Sequence, residues 1–228
     1  MFQYSGPYSQ QVHDSWYMGN YGNAMFESYM AGEGFIMVCV DGRGTGGRGT
    51  EFGKCTYLNI GQYEPGDQVE TAKYLGTLPY VDKENIGIWG WSGGGSSTAH
   101  LMFKYPDIYS TGIAVAGVYS QYLYDTIYQE RYMGLPSTNP EGYYNGSPIN
   151  FAANLKGNLM LIHGTGDDNV HYQSMEMLVN ELIKQNKIFS MLSYPMRAHG
   201  IYERENTTYH LYQSMLKYWL ENLPAGGR

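Results

Sequence analysis

The chain has 228 residues, 43% of them hydrophobic, with 15% charged and a formal net charge of −7. That apolar content at that length supplies a sizeable core and excludes a disordered chain. Its 14 Lys and Arg are scattered among 21 Asp and Glu, which excludes nucleic acid and anionic membrane surfaces as partners, since those require clustered base. The longest strongly apolar run, residues 35–40, is far too short to cross a bilayer, so no membrane span lies in this segment.

In chain order, residues 35–40 (Phe-Ile-Met-Val-Cys-Val) predict a buried strand. Cys39 inside it and Cys55 in a later loop read as free thiols, because two cysteines make no disulfide framework. Gly44-Thr45-Gly46-Gly47-Arg48-Gly49 satisfies Gly-x-Gly-x-x-Gly, but a dinucleotide site needs a helix to start at once. Glu51-Phe52-Gly53-Lys54 carries no helical face, and the next helix is expected near Pro65. The glycine run therefore reads as a turn on the rim of a site, with Arg43 or Arg48 pairing a carboxylate. Residues 67–75 predict that next helix, with Val69, Ala72, Tyr74 and Leu75 on its apolar face.

Ile86-Gly87-Ile88-Trp89 then predicts a strand and residues 96–105 a helix, with Gly90-Trp91-Ser92-Gly93-Gly94 at the junction. A serine between glycines at a strand-to-helix turn is a nucleophile elbow. The glycines let strand and helix approach closely, and the helix N-terminus offers free N–H groups to a substrate oxygen. Residues 113–116 predict a further strand. The tyrosine-rich stretch 119–144 is too long and irregular for a plain connection and reads as a pocket-forming insertion. Residues 159–162 are a strand ending in the acidic loop His163-Gly164-Thr165-Gly166-Asp167-Asp168-Asn169-Val170. Residues 174–183 predict a helix with Met175, Leu178, Leu182 and Ile183 facing the core. Residues 189–194 predict a strand followed by the loop Pro195-Met196-Arg197-Ala198-His199-Gly200. Residues 208–220 predict a last helix carrying Leu211, Met215, Leu216 and Trp219. Strands alternating with helices predict an α/β fold, a mostly parallel sheet covered on both faces.

A serine becomes a nucleophile only beside a base that is itself oriented, and elbow proteins carry these in the order Ser, Asp, His. Ser92, a carboxylate of the acidic loop and His199 follow that order, each after its own strand. His199 is the general base, since an imidazole moves protons at neutral pH. Asp167 is the orienting carboxylate, with Asp168 as its local competitor. His163, at the end of its strand, reads as a brace for the loop. His13, His100, His171 and His210 have no metal-ligand spacing and read as surface or packing residues, so the chemistry calls for no metal or cofactor.

Several segments together are more specific than the elbow. Tyr4-Ser5-Gly6-Pro7, Asp41-Gly42-Arg43-Gly44-Thr45-Gly46, the elbow, Glu130-Arg131-Tyr132-Met133-Gly134 and the loop from His163 to His171 span nearly the whole chain. In these the chain resembles the catalytic domain of the dipeptidyl peptidase IV group in the prolyl oligopeptidase family of serine peptidases. The resemblance implies an α/β-hydrolase fold and a Ser92, Asp167, His199 triad, which also decides for Asp167 over Asp168. It implies an oxyanion hole of the Tyr4 hydroxyl and the Gly93 N–H. It further implies a pocket for proline or alanine lined by Val118, Tyr124, Tyr128 and Val170, with Asn169 contacting the substrate backbone. Two positions depart from the family pattern: Gly93 stands where tyrosine is common and Gln121 where an aromatic is expected, so the pocket is wider or more polar.

The implied activity is release of N-terminal dipeptides from peptide substrates through an acyl-enzyme. The alternatives are a related aminopeptidase, oligopeptidase or esterase of the same fold, and an inactive binding module. The family's N-terminal β-propeller and the two opening strands of the hydrolase domain are absent from residues 1–228, with only the end of a third strand surviving at Phe2 to Tyr4. The chain is thus expected to be one partial catalytic domain, N-terminally truncated and weakened in isolation, whose partner is that propeller. A homodimer through the last helix and a periplasmic or cell-surface location are further implications.

Overall fold

In the computed structural model, which describes residues 1–15 and 24–225, four apolar runs pair side by side in parallel. They are β1 (Gly87–Trp91), β2 (Thr111–Val115), β3 (Asn158–Gly164) and β4 (Ser190–Tyr194), ordered as they occur in the chain. Register runs from Trp89 opposite Ile113 through Ile113 opposite Met160 to Met160 opposite Ser190. Strand side chains alternate between faces, and the sheet's residues divide accordingly between two cores. Ile88, Ala114, Leu159 and Leu161 pack with α3 (Tyr63–Leu75), α4 (Gly93–Lys104) and α7 (Gln173–Lys184). Trp89, Ile113, Val115, Met160 and Ile162 pack with α1 (Ala24–Gly32) and α8 (Thr207–Asn222). Both faces are therefore covered by helices, as the alternation of strands and helices leads one to expect.

Helices α7 and α8 bury the residues that their spacing marks: Met175, Leu178 and Leu182 in one, Leu211, Met215 and Trp219 in the other. Ile183 and Tyr74, counted on apolar faces, instead point to solvent. Residues 35–40 are extended but form no ladder of their own. Phe2 bridges Cys39 on one side and Trp89 on the other, both in parallel. Phe2 N–H donates to Val38 O at 2.9 Å, and Trp89 N–H to Met1 O at 3.0 Å. The segment beside 35–40 pairs at Phe2 alone, so cooperative pairing stops after one bridge. The N-terminal residues nonetheless extend the parallel sheet beyond β1.

Two helices ahead of α3 have no counterpart among the elements expected from the sequence. α1 buries Phe26 and Met30 against the sheet, and α2 (Thr50–Lys54) is a short helix starting directly after Gly49, where a loop was expected. Gly49 supplies the left-handed φ of 86° that turns the chain into it. α3 begins at Tyr63, ahead of Pro65, because a proline in a helix's first turn gives up an N–H that has no partner there anyway. Of the two rim arginines, Arg43 pairs a carboxylate, forking onto Asp67 with Nη2 to Oδ1 at 2.7 Å, while Arg48 lies over the Phe52 ring at 5.2 Å. Cys39 and Cys55 are free.

The stretch 119–144 resolves into a turn and two short helices, α5 (Thr126–Met133) and α6 (Pro140–Asn145). Asp125 caps α5 by accepting Tyr128 N–H, and Asn139 caps α6 by accepting Gly142 N–H. The insertion is tied down by side chains. Asn139 Nδ2 donates to Leu58 O at 2.9 Å, and Gln121 Nε2 to Gly146 O at 2.8 Å.

Candidate active site

β1 ends at Trp91 and α4 begins at Gly93, which leaves Ser92 alone in the turn with φ 57° and ψ −119°. A side chain is rarely held there, and it persists only where surroundings over-determine it. Here Ser92 N–H donates to Val115 O at 2.8 Å, fixing the turn to β2. Glycine is required on either side for close approach: a Cβ on Gly90 would stand 2.6 Å from Gln3 O, and one on Gly94 would collide with the same oxygen. The N-terminal segment thus packs directly against the elbow.

β3 leads into the acidic loop, where the Asp167 side chain is completely buried and Asp168 is exposed. Asp167 Oδ1 accepts the N–H groups of Asn169 and Val170, each at 2.9 Å. Its Oδ2 meets two imidazoles, His199 Nδ1 at 2.7 Å and His163 Nε2 at 3.0 Å. His163 Nε2 also lies 2.8 Å from Val170 O. A carbonyl can only accept, so that nitrogen carries the proton and is shared between carbonyl and carboxylate. Burial alone would raise the Asp167 pKa, but hydrogen bonds from His163 and His199, the His199 charge and the Asn169 amide together hold it far below the usual carboxylate range.

His199 sits in the loop after β4, which is laced to the aspartate loop. Thr165 N–H donates to Tyr194 O at 2.9 Å, Gly166 N–H to Arg197 O at 3.0 Å, and Met196 N–H to Thr165 Oγ1 at 2.9 Å. Trp91 Nε1 donates to His199 O at 2.9 Å, so the elbow strand also holds the histidine loop. Ser92 and His199 line one cleft of about 560 Å³ with Tyr4, Trp91, Tyr124, Asn169 and Tyr202. The structure therefore pairs Asp167 with His199 and sets His199 and Ser92 on one cleft, at the ends of β3, β4 and β1. Ser92 and His199 face this common cleft without a hydrogen bond between their side chains.

Tyr4 stands beside the elbow, its hydroxyl 3.7 Å from where a Cβ of Gly93 would be. As the first residue of α4, Gly93 has an N–H without an intrahelical partner. A second, smaller pocket of about 60 Å³ opens on the other side, lined by Ser92, Gly93, Val118, Gln121, Tyr124 and Tyr128 among others. Tyr124 and Tyr128 meet edge to face at 5.3 Å. Burial raises the pKa of both phenols, that of Tyr124 to about 12, so they remain neutral donors. Tyr124 Oη donates to Asn169 Oδ1 at 2.9 Å, linking the pocket to the aspartate loop. Val170, expected in the pocket wall, is fully buried and lines neither cavity; its backbone serves the Asp167 and His163 network instead.

Among the pocket residues that sequence reasoning missed are Glu64, His100 and Gln129. A signal existed for one: Gly93, Ser96, Ser97 and His100 follow one face of the helix that starts at the elbow, at intervals of three, one and three. For Glu64, at the start of α3, no local pattern points to the site.

Compared with known proteins, residues 24–225 match the family model described as the prolyl oligopeptidase family. The chain is 42% identical over 223 residues to a protein named "Probable dipeptidyl-aminopeptidase B" from Uncinocarpus reesii, covering 96% of this chain and 24% of that protein. The crystal structure of Porphyromonas gingivalis dipeptidyl peptidase 4 is 43% identical and superposes with a TM-score of 0.92, covering 97% of this chain and 31% of that one. The chain thus spans about a quarter of the length of the curated relatives that it matches.

Proposed function

Since this chain belongs to the prolyl oligopeptidase family and has its α/β-hydrolase fold, we propose that it is the catalytic domain of a serine peptidase that releases dipeptides from peptide N-termini, with proline or alanine second. Residues 1–228 are read as one such domain, working with a propeller region of the same polypeptide. The observation that carries this reading is the buried Asp167 carboxylate held 2.7 Å from His199 Nδ1, with the His199 ring and the strained Ser92 lining one cleft.

In this reading Ser92 Oγ attacks the carbonyl carbon of the second residue while His199 Nε2 takes the hydroxyl proton. Nδ1 is the nitrogen that faces Asp167, so it keeps its hydrogen there and Nε2 is left to act as base. The negative charge that builds on the carbonyl oxygen is met by the Gly93 N–H and the Tyr4 hydroxyl, a neutral donor suited to an oxyanion. His199 then returns its proton to the leaving amine and the C–N bond breaks. Water, deprotonated by the same imidazole, attacks the Ser92 ester, and the acid leaves as the serine regains its proton. Val118, Tyr124 and Tyr128 supply an apolar slot for a compact ring, and Asn169 supplies a polar contact for the substrate backbone.

The test is a fluorophosphonate probe together with a chromogenic Gly-Pro amide and a simple aryl ester, applied to the full polypeptide as encoded. Stoichiometric labelling lost in Ser92→Ala, with Gly-Pro amide turnover, is expected. Ester turnover without Gly-Pro cleavage would replace the dipeptidyl reading by an esterase of the same fold. A folded protein that takes no label would replace it by a binding module.

A further inference from the structure

The pocket beside Ser92 and Gly93 is apolar on one wall and polar on another. Val118, Tyr124 and Tyr128 form the first; Glu64, His100, Gln121 and Gln129 contribute to the second. The two glutamines satisfy each other: Gln129 Nε2 donates to Gln121 Oε1 at 2.5 Å, and Gln121 Nε2 to Gly146 O. Glu64 and His100 are not satisfied. Both are about as buried as a residue can be, at 2% and 1% exposure. Glu64 Oε2 accepts Gly61 N–H at 3.0 Å, but its Oε1 has no partner, and neither has His100 Nε2.

The missing partner has a definite chemistry. A neutral imidazole nitrogen either donates or accepts, and His100 Nε2 is without a partner. Burial, with Lys104 nearby, keeps the ring from taking a second proton. Lys104 does not supply the missing donor: its Nζ donates to Asn145 O at 2.9 Å and lies over the Phe151 ring, and it makes no hydrogen bond to Glu64 Oε1 or His100 Nε2. A carboxylate oxygen and an imidazole nitrogen, both unpartnered in one pocket, reward a ligand that brings an O–H, which can donate and accept, since unpaired buried polar atoms are costly. A carboxylate would set like charge beside Glu64, and a large aromatic exceeds a cavity of about 60 Å³.

We propose that this pocket selects, at the residue whose carbonyl Ser92 attacks, small side chains bearing a hydroxyl, which hydrogen-bonds to Glu64 and His100. The inference rests on the peptidase reading and refines its substrate class. Proline and alanine fill the apolar wall; serine, threonine and hydroxyproline fill it and also reach the polar one.

The experiment compares kcat/KM of the full polypeptide on dipeptidyl amides in three pairs: Gly-Thr against the isosteric Gly-Val, Gly-hydroxyproline against Gly-Pro, and Gly-Ser against Gly-Ala. The hydroxyl member is expected to lead by about tenfold, the size of one buried hydrogen bond to a charged or strongly polar partner. Glu64→Gln, which retains an acceptor for Gly61 N–H, and His100→Leu are each expected to shrink that lead severalfold while leaving Gly-Pro cleavage measurable. Equal or reversed rates within the pairs would overturn the proposal even if both variants fail to fold, because that comparison needs only the wild-type protein. So would an unchanged lead in both folded variants. Cleavage that ignores the hydroxyl, with Ser92 labelled by a fluorophosphonate, sinks this inference and leaves the peptidase reading standing. Neither cleavage nor labelling sinks both.

Discussion

The molecule holds two buried carboxylates near Ser92, and they are treated in opposite ways. Asp167 lies where two loops at the ends of β3 and β4 converge, and it receives two backbone amides and two imidazoles. Glu64 lies in the pocket wall at the start of α3, and its Oε1 receives nothing. The consequence appears in their acidity. Asp167 is held well below the carboxylate range although burial opposes this, whereas Glu64 is pushed up to about 7 by burial, which the surrounding amides only partly offset. A carboxylate supplied with donors is fixed as an anion that can support a neighbouring imidazolium. One left short of them is open to whatever enters the pocket. On the proposed reading, the comparison teaches that reaction chemistry and substrate choice are built by different means: the first by converging strand ends, the second by side chains on packed helices and an insertion.

The largest expected effect comes from breaking the well-supplied side. Asp167→Asn should lower kcat by about 10⁴-fold with little change in KM, because the amide cannot hold the His199 tautomer. Steady-state kinetics on a Gly-Pro amide check this, and a loss under tenfold would remove Asp167 from its proposed role. Next in size, Tyr4→Phe removes one donor facing the oxyanion and should cost about 10²–10³-fold in kcat. Activity retained in Tyr4→Phe would leave stabilisation of the oxyanion to Gly93 alone.

Stability against pH sharpens the contrast, since the two carboxylates tilt it in opposite directions. The lowered pKa of Asp167 means that the unfolded chain binds its proton more readily. That contribution is present above about pH 4 and is lost as acid titrates the folded state. The raised pKa of Glu64 means that the folded chain binds the proton more readily, so its contribution is present below about pH 4 and is lost as pH rises through about 7. Urea midpoints of Glu64→Gln measured from pH 4 to 8 should fall less with pH than the parent's over that window, where Glu27, also pushed up to about 7 by burial, still contributes a fall; parallel curves would refute it. The smallest effect belongs to Asp168→Asn. This exposed neighbour should change kcat/KM by no more than about twofold, the scale of a surface substitution.

Much of the proposed catalytic edge is legible in local sequence, because turn chemistry at strand ends is local. Glycines around Ser92, an acidic turn after one apolar run and a His-Gly turn after another mark three positions without knowledge of the fold. The apolar faces of α7 and α8 are legible for the same reason, down to Met175 and Met215. Residues 35–40 illustrate the limit. Their apolar run predicts a strand, but a ladder depends on the length of the partner, and its partner pairs at Phe2 alone. Likewise, no local cue separates Asp167 from Asp168, and burial of one beneath two histidines does so at once.

What the chain determines by itself is which backbone stretches extend, coil or turn, and therefore which side chains stand at the carboxyl ends of the strands. Tertiary structure alone decides which of them meet. Trp91 holds the carbonyl of His199 across 108 positions of sequence, Tyr4 comes to rest against Gly93, and Glu64 joins His100 in one pocket. Those encounters depend on how separate elements pack around shared cores, and hydrophobic patterning specifies a buried face without naming what lies opposite it.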